Sequence, residues 1–246
     1  MKNLAAATGF LKESPTGRAL LGFADRHGVT FSTDPLLEPE EGCYYASSRR
    51  IDLGYQPAPA GVEKTTAREL LGLTSALRRA FHNLSGLPLE GFAPLPYLRF
   101  RRVISADISA VNHLVAWEMR AAGAGFFWRH LIAADSVLTD AFSVVAETAP
   151  PDFLKEASRE VFLEWFGCPE RVFAADEGAL LALSMPASPV RNSSLPDPAV
   201  FGVLPQGGNY LENTYLPSAA YLPPVDSGQA RRLAILSQPG LEYIEI

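Results

Sequence analysis

Apolar residues recur at helical spacing along most of this chain. In residues 16–27, Ala19, Leu20, Phe23 and Ala24 lie on one face, after a Ser-Pro entrance and before Gly28, which predicts a helix. Leu70, Leu73, Leu77, Phe81 and Leu84 repeat every three to four residues, the stripe of a core-facing helix over 65–84. Thr65 or Thr66 can cap it, Glu69 suits the positive end of its dipole, and Gly86 stops it. Ile108, Val111, Val115 and Met119 predict a second helix over 105–122, followed by Gly123 and Gly125. Residues 126–138 and 139–147 read as helical, and Pro150-Pro151 separates them from a helix over 152–166 carrying Phe153, Ala157, Val161 and Trp165. Gly167 and Pro169 close that helix, and a last long one spans 172–183.

The period changes to two in a few short places. Val29, Phe31 and Thr33 alternate as in a strand, and residues 43–46 and 50–53 read as two more around a turn at Ser47-Ser48. Residues 57–61 and 87–96 read as loops. Beyond Met185 the chain fills with proline, serine, glycine and asparagine, yet keeps Phe201, Tyr210, Leu211, Tyr215, Tyr221 and Leu222. That is more apolar surface than a solvated linker needs. Residues of about 186–246 are therefore expected to wrap irregularly on a body of about 10–185. The pattern predicts one domain over 1–246, mostly helical with a small sheet, of the α+β class.

Composition narrows this picture. A chain of 246 residues buries roughly 70–75% of its unfolded surface, so its core needs no staples. The balance of 21 Lys+Arg against 27 Asp+Glu gives −6, which repels a phosphate backbone. Basic residues come only as pairs such as Arg78-Arg79 and Arg101-Arg102, so no nucleic-acid partner is expected. Cys43 and Cys168 form no C-x-x-C unit and read as lone thiols. No run approaches the ~20 apolar residues of a membrane span, and the first residues do not read as a signal peptide. A cytoplasmic location without a membrane partner is the expectation.

Few other motifs carry chemistry. No two of His27, His82, His113 and His130 are three or four residues apart, the usual mark of a paired ligand set on a helix. A metal site from His82, Asp107 and His113 stays open as an alternative. His130 with Asp135 or Asp140 lacks a G-x-S-x-G elbow to serve. Glu118, Glu147, Glu160 and Glu164 read as solvated helix faces, Trp117, Trp128 and Trp165 as core, and Gly207-Gly208-Asn209 as a turn.

Several segments, in order, carry a resemblance. Ile51-Asp52-Leu53 is an I-x-L strand, followed by Ser75-Ala76-Leu77-Arg78-Arg79-Ala80 on a helix. Ser105-Ala106-Asp107-Ile108 and Ala116-Trp117-Glu118-Met119 follow, then Phe162-Leu163-Glu164-Trp165-Phe166 and Gly208-Asn209-Tyr210-Leu211. This order resembles a bacterial family of uncharacterised zincin-like metallopeptidases. There the I-x-L strand precedes a helix with H-E-L-R-H-A, and later helices bear E-A-D-A and A-W-E-L. The resemblance implies a predominantly helical zincin-like core with a small sheet.

The departures decide what is expected of the site. In H-E-x-x-H two histidines four apart bind zinc and the glutamate activates the metal-bound water. Set against that motif, this chain has Ser75 and Arg79 at the histidines and Ala76 at the glutamate, while Ser105 replaces the first acid of the later motif and Asp107 survives. Arginine offers no lone pair and alanine no base. The expectation is no catalytic residue, no metal and no cofactor. An Arg79–Asp107 bridge is expected to link the two helices. The cleft, lined by Ile51, Leu53, His82 and His113, could take a peptide or protein by strand addition beside Ile51–Leu53. The alternatives are a hydrolase using the relocated His82, Asp107 and His113, and a structural or interaction protein whose cleft is filled.

Overall fold

The computed structural model describes residues 2–54, 62–88, 91–148, 153–184, 201–212 and 225–236. The fold is mostly helical, of the α+β class, with one small open sheet. Its helices are α1 (Lys2–Leu11), α2 (Pro15–Arg26), α3 (Val62–Leu84), α4 (Pro94–Ala121), α5 (Phe126–Ala134), α6 (Ser136–Thr148), α7 (Phe153–Trp165), α8 (Pro169–Leu183) and α9 (Ser227–Leu236). The strands are β1 (Thr30–Asp34), β2 (Gly42–Tyr45) and β3 (Arg50–Gly54). Among the described residues no helix is long and apolar enough to cross a membrane.

Helix α4 is the axle. Its 28 residues make a rod of about 42 Å, packed against α2, α3, α5, α7 and α8. It therefore buries side chains around most of its circumference, Val103, Ala106, Ala110, Val111, Leu114 and Val115 among them. The sequence expectation started this helix eleven residues late, because Pro94 and Pro96 read as loop. Both prolines instead fall in its first turn, where backbone N–H groups have no intrahelical acceptor and proline costs nothing. Helices α1 and α9 were not foreseen either. By contrast α2 follows its expected bounds, with Ser14 Oγ accepting from Gly17 N at 2.8 Å and Gly28 at φ +69° behind it.

In the sheet the order is β1-β3-β2, with β1 parallel and β2 antiparallel to β3. Strand β3 is thus central, and both of its edges are paired. This corrects the expectation of strand addition beside Ile51–Leu53: Ile51 pairs with Phe31 on one side and Tyr44 on the other, and Ile51 and Leu53 are buried in the core. No backbone edge of β3 is left for a peptide.

Helix α3 lies on β2 and β3 with an unusually close approach. A Cβ added at Gly42 would stand 2.2 Å from the Gly72 carbonyl and 3.0 Å from Ala76 Cβ. Only glycine lets the strand meet the helix backbone there. Gly42→Ala is expected to destabilise the chain by about 1–3 kcal/mol through overpacking, read as a lowered midpoint in a thermal melt. An unchanged midpoint would mean that the contact is slack.

Candidate functional site

The residues with most chemical potential meet where α3 crosses α4. Ser75, Arg78 and His82 lie on one stripe of α3, at i, i+3 and i+7, and each touches α4. Asn112 Nδ2 donates to Ser75 Oγ at 3.1 Å. Arg78 and Asp107, both wholly buried, form a two-pronged pair: Nε to Oδ2 at 2.7 Å and Nη2 to Oδ1 at 2.8 Å. Tyr210 Oη donates to Asp107 Oδ1 at 2.5 Å, and His82 Nε2 stands 3.0 Å from Oδ2. The remaining Arg78 donors reach the chain's late segment, Nη1 to the Val203 carbonyl at 2.7 Å and Nη2 to that of Phe201 at 2.5 Å.

The bridge between the helices is therefore made by Arg78, not by Arg79 as the sequence led one to expect. One residue turns a helix by roughly 100°, which points Arg79 at the sheet. There its Nη1 donates to the Gly42 carbonyl of β2 at 2.9 Å. Ala76 is buried against the same strand. Ser105 sits roughly 200° around α4 from Asp107, half-buried and outside the cluster. The five residues set against the ligand motifs are thus split: Asp107 in the cluster, Ser75 beside it on Asn112, Ala76 and Arg79 on the sheet, Ser105 apart. Of the alternative set, His82 and Asp107 come together and His113 does not. The His113 Nδ1 lies 2.8 Å from the Ser109 carbonyl, and its ring meets Trp128 edge-on.

Burial alone would raise the Asp107 pKa. The Arg78 charge, the His82 imidazole and their hydrogen bonds outweigh it and hold the carboxyl far below the usual carboxylate range. For His82, burial and then the Arg78 charge push the pKa below the ordinary imidazole value, against the pull of Asp107. Arg79 is lowered too, by burial and by the like charge of Arg101.

A zinc ion does not fit these residues. Serine is a poor ligand and arginine none, Ala76 supplies no base, and the Asp107 oxygens already accept from Arg78 and Tyr210. Among the described residues no group of three or more His, Cys, Asp or Glu side chains is placed to hold a metal ion.

Other polar residues in α4 serve its packing. Arg102 makes a second buried two-pronged pair, with Asp176 of α8 at 2.6 and 2.5 Å. Glu118, expected to be a solvated face, is half-buried and accepts from Ser14 Oγ and from the Thr16 backbone N and Oγ1, both at 2.9 Å. The free N–H groups and positive dipole of the α2 N-terminus explain why a carboxylate is drawn there. Asp135 is likewise structural: it accepts from Leu138 N at the start of α6 and pairs with Arg171 of α8. Trp117, Trp128 and Phe142 pack as one aromatic group; Trp128 is buried core as expected, whereas Trp117 is half-buried against it. Cys43 and Cys168 are both free thiols.

The family model described as "Putative metallopeptidase family (DUF6782)" matches residues 2–180. No curated protein and no solved structure matches the chain.

Two outcomes are expected. Asp107→Asn leaves the Arg78 charge buried without its counter-ion and should cost about 3–5 kcal/mol in urea denaturation; a cost below 1 kcal/mol would show that water reaches the cluster. The second concerns His113, whose pKa burial pushes down to about 4 from 6.5, against the Ser109 carbonyl and Asp135. Its folded value lies below its unfolded value, so unfolding takes up a proton and stability falls as pH drops from about 6.5 to about 4. That shift is worth about 3 kcal/mol, and His82 adds to the same slope. His113→Gln should flatten the stability profile over this window, and an unchanged slope would assign it to other groups.

Proposed function

The chain belongs to the putative metallopeptidase family, and on that premise we propose that it is a member that does not hydrolyse peptides. Its α3–α4 junction is a structural centre, closed by the chain's own segment 201–212. The protein works as a scaffold or interaction module on a zincin-like core, without a reacting metal. The observation that carries this reading is the state of Asp107, the acid retained from the family's motifs. It accepts from Arg78 twice and from Tyr210 once, so the group best placed to ligate a metal is committed to donors from the chain.

Further support comes from the late segment. Phe201 is fully buried, with its ring near those of His82 and Phe100. Leu204, Tyr210 and Leu211 are buried beside it, and Val203 bridges to Asn209 across the Gly207-Gly208 turn. Gln206 Nε2 reaches Thr16 Oγ1 at 2.8 Å. A segment beyond the matched residues thus fills the space over the helix crossing. This favours the filled-cleft reading over peptide capture, whose seat at β3 is already paired on both edges. The hydrolase reading that uses His82, Asp107 and His113 has little support, since His113 is turned to Ser109 and Trp128.

Elemental analysis of the purified full chain, with thermal melts with and without a strong chelator, tests the proposal. Zinc well below one equivalent, a midpoint indifferent to chelator and background rates on unstructured protein substrates are expected. One bound equivalent of zinc with chelator-sensitive hydrolysis would overturn it.

A further inference from the structure

We propose that the cavity between the first turns of α8 and α9 is a binding site for a small organic cation, an alkylammonium group carried on a short apolar body. The cavity measures about 490 Å³, within the range of small-molecule sites, and shares no residue with the cluster where α3 crosses α4. One of its walls, α9, lies beyond the residues that the family model matches, so the matched body alone does not form it.

Phe166, Val172 and Phe173 supply apolar walls, and Glu170, Asp176 and Asp226 bring three carboxylates to them. Phe173 is 47% exposed, an aromatic ring left open to water beside acidic groups, which is the pairing that ammonium ligands favour. The second wall is fixed. Gln229 Nε2 donates to Glu177 Oε1 at 2.9 Å and to the Phe173 carbonyl at 3.3 Å, and Arg232 pairs with Glu177 at 2.8 Å. Helix α9 is thus held on α8 while the space between their first turns stays open.

The charges set the sign of the ligand. Asp176 is answered by Arg102, which meets both of its oxygens. Glu170 and Asp226 form no ion pair among the described residues, and the neighbouring cation Arg171 is taken by Asp135. Glu170 Oε2 accepts from the Cys168 thiol at 3.1 Å, and Asp226 Oδ1 accepts from the Gly228 and Gln229 N–H groups at 2.8 and 3.4 Å. Glu170 Oε1 and Asp226 Oδ2 are left without a donor among the described residues. The two helix N-termini contribute about half a positive charge each, which offsets one of these carboxylates and leaves the other. An anion is therefore repelled. A bare metal ion is not held either, since no three acidic or ligating groups among the described residues are placed to coordinate one. An ammonium meets both conditions: its three N–H groups can reach acceptors that stand apart, and its hydrocarbon lies against Phe166, Val172 and Phe173.

Calorimetric titration of the full-length chain tests the site with 2-phenylethylamine, its neutral analogue 2-phenylethanol and the anion phenylacetate. The amine should bind at one equivalent, roughly tenfold or more tighter than the alcohol, and the anion should not bind. Glu170→Gln combined with Asp226→Asn keeps the size of both groups and a capping residue before α9, and should weaken the amine about tenfold. Phe173→Ala, at an exposed position, should weaken it as well. Asp140→Asn with Glu147→Gln, the same charge change at exposed positions of α6, should leave it unchanged. Absence of binding at millimolar amine, an amine no tighter than the alcohol, or affinity that survives either change at the cavity would overturn the proposal. A lysine peptide blocked at both ends that competes as strongly as the free amine would assign the cavity to a protein side chain and overturn the small-molecule reading. Zinc does not enter this test, so its outcome is separate from that of the function proposed above.

Discussion

A guanidinium taken wholly out of water must have its donors met, and that constraint organises this protein. Arg78 has five N–H groups, and four hydrogen bonds leave it, two to Asp107 and one each to the carbonyls of Phe201 and Val203. Those partners come from two separate parts of the chain, neither of them the helix that carries Arg78. To satisfy one side chain, α3, α4 and the segment after residue 200 must all be in place. A buried pair of this kind adds little net stability compared with apolar packing, but breaking it is costly. Its effect is to make one arrangement of three elements much better than any other.

The same logic repeats along α4. A helix buried on most sides gains by partnering its charges, and three of its buried or half-buried ionic groups go to three different neighbours. Arg102 goes to Asp176 of α8, Asp107 to Arg78 of α3 and Glu118 to the start of α2. Apolar contacts fill the space between these points. The charges fix the azimuth of the helix and the neighbours it can accept, which a stripe of alanine, valine and leucine would leave looser.

Much of this was legible in the sequence where a local pattern sufficed. The Leu70–Leu84 stripe, the Ser-Pro opening of α2, the glycine stops and the three short strands all follow from spacing and turn chemistry. Helix α4 was truncated in the sequence reading because proline signals a break unless one knows that it lies in a first turn. Strand order was not legible, since nothing local to Ile51–Leu53 says that β1 will pair beyond β2. The site was read one helical step out of phase. The order L-R-x-A drew the motif onto Ser75 and Arg79, whereas the phase of α3 against α4 brings Arg78 and His82 inward. One signal was available: Asp107 sits among Val103, Ala106, Ala110 and Val111, and a carboxylate in so apolar a run demands a buried donor or cation from another element. Glu118 was misread for a related reason. A helix N-terminus acts as a positive partner without any basic residue to reveal it.

The reach of Arg78 to Val203, across 125 residues, also bears on biosynthesis. At about 5–20 residues per second, roughly 6–25 s pass between the synthesis of the arginine and that of the carbonyl that completes its shell. Through that interval the helical body has a charged group at its centre that is only partly satisfied, and the apolar site for Phe201 stands empty. The nascent protein is then a natural client for chaperones. A message cut short after α8 would yield a chain that lacks the segment that closes the helix crossing. Quality control would see such a product as unfinished, although most of its secondary structure had already formed.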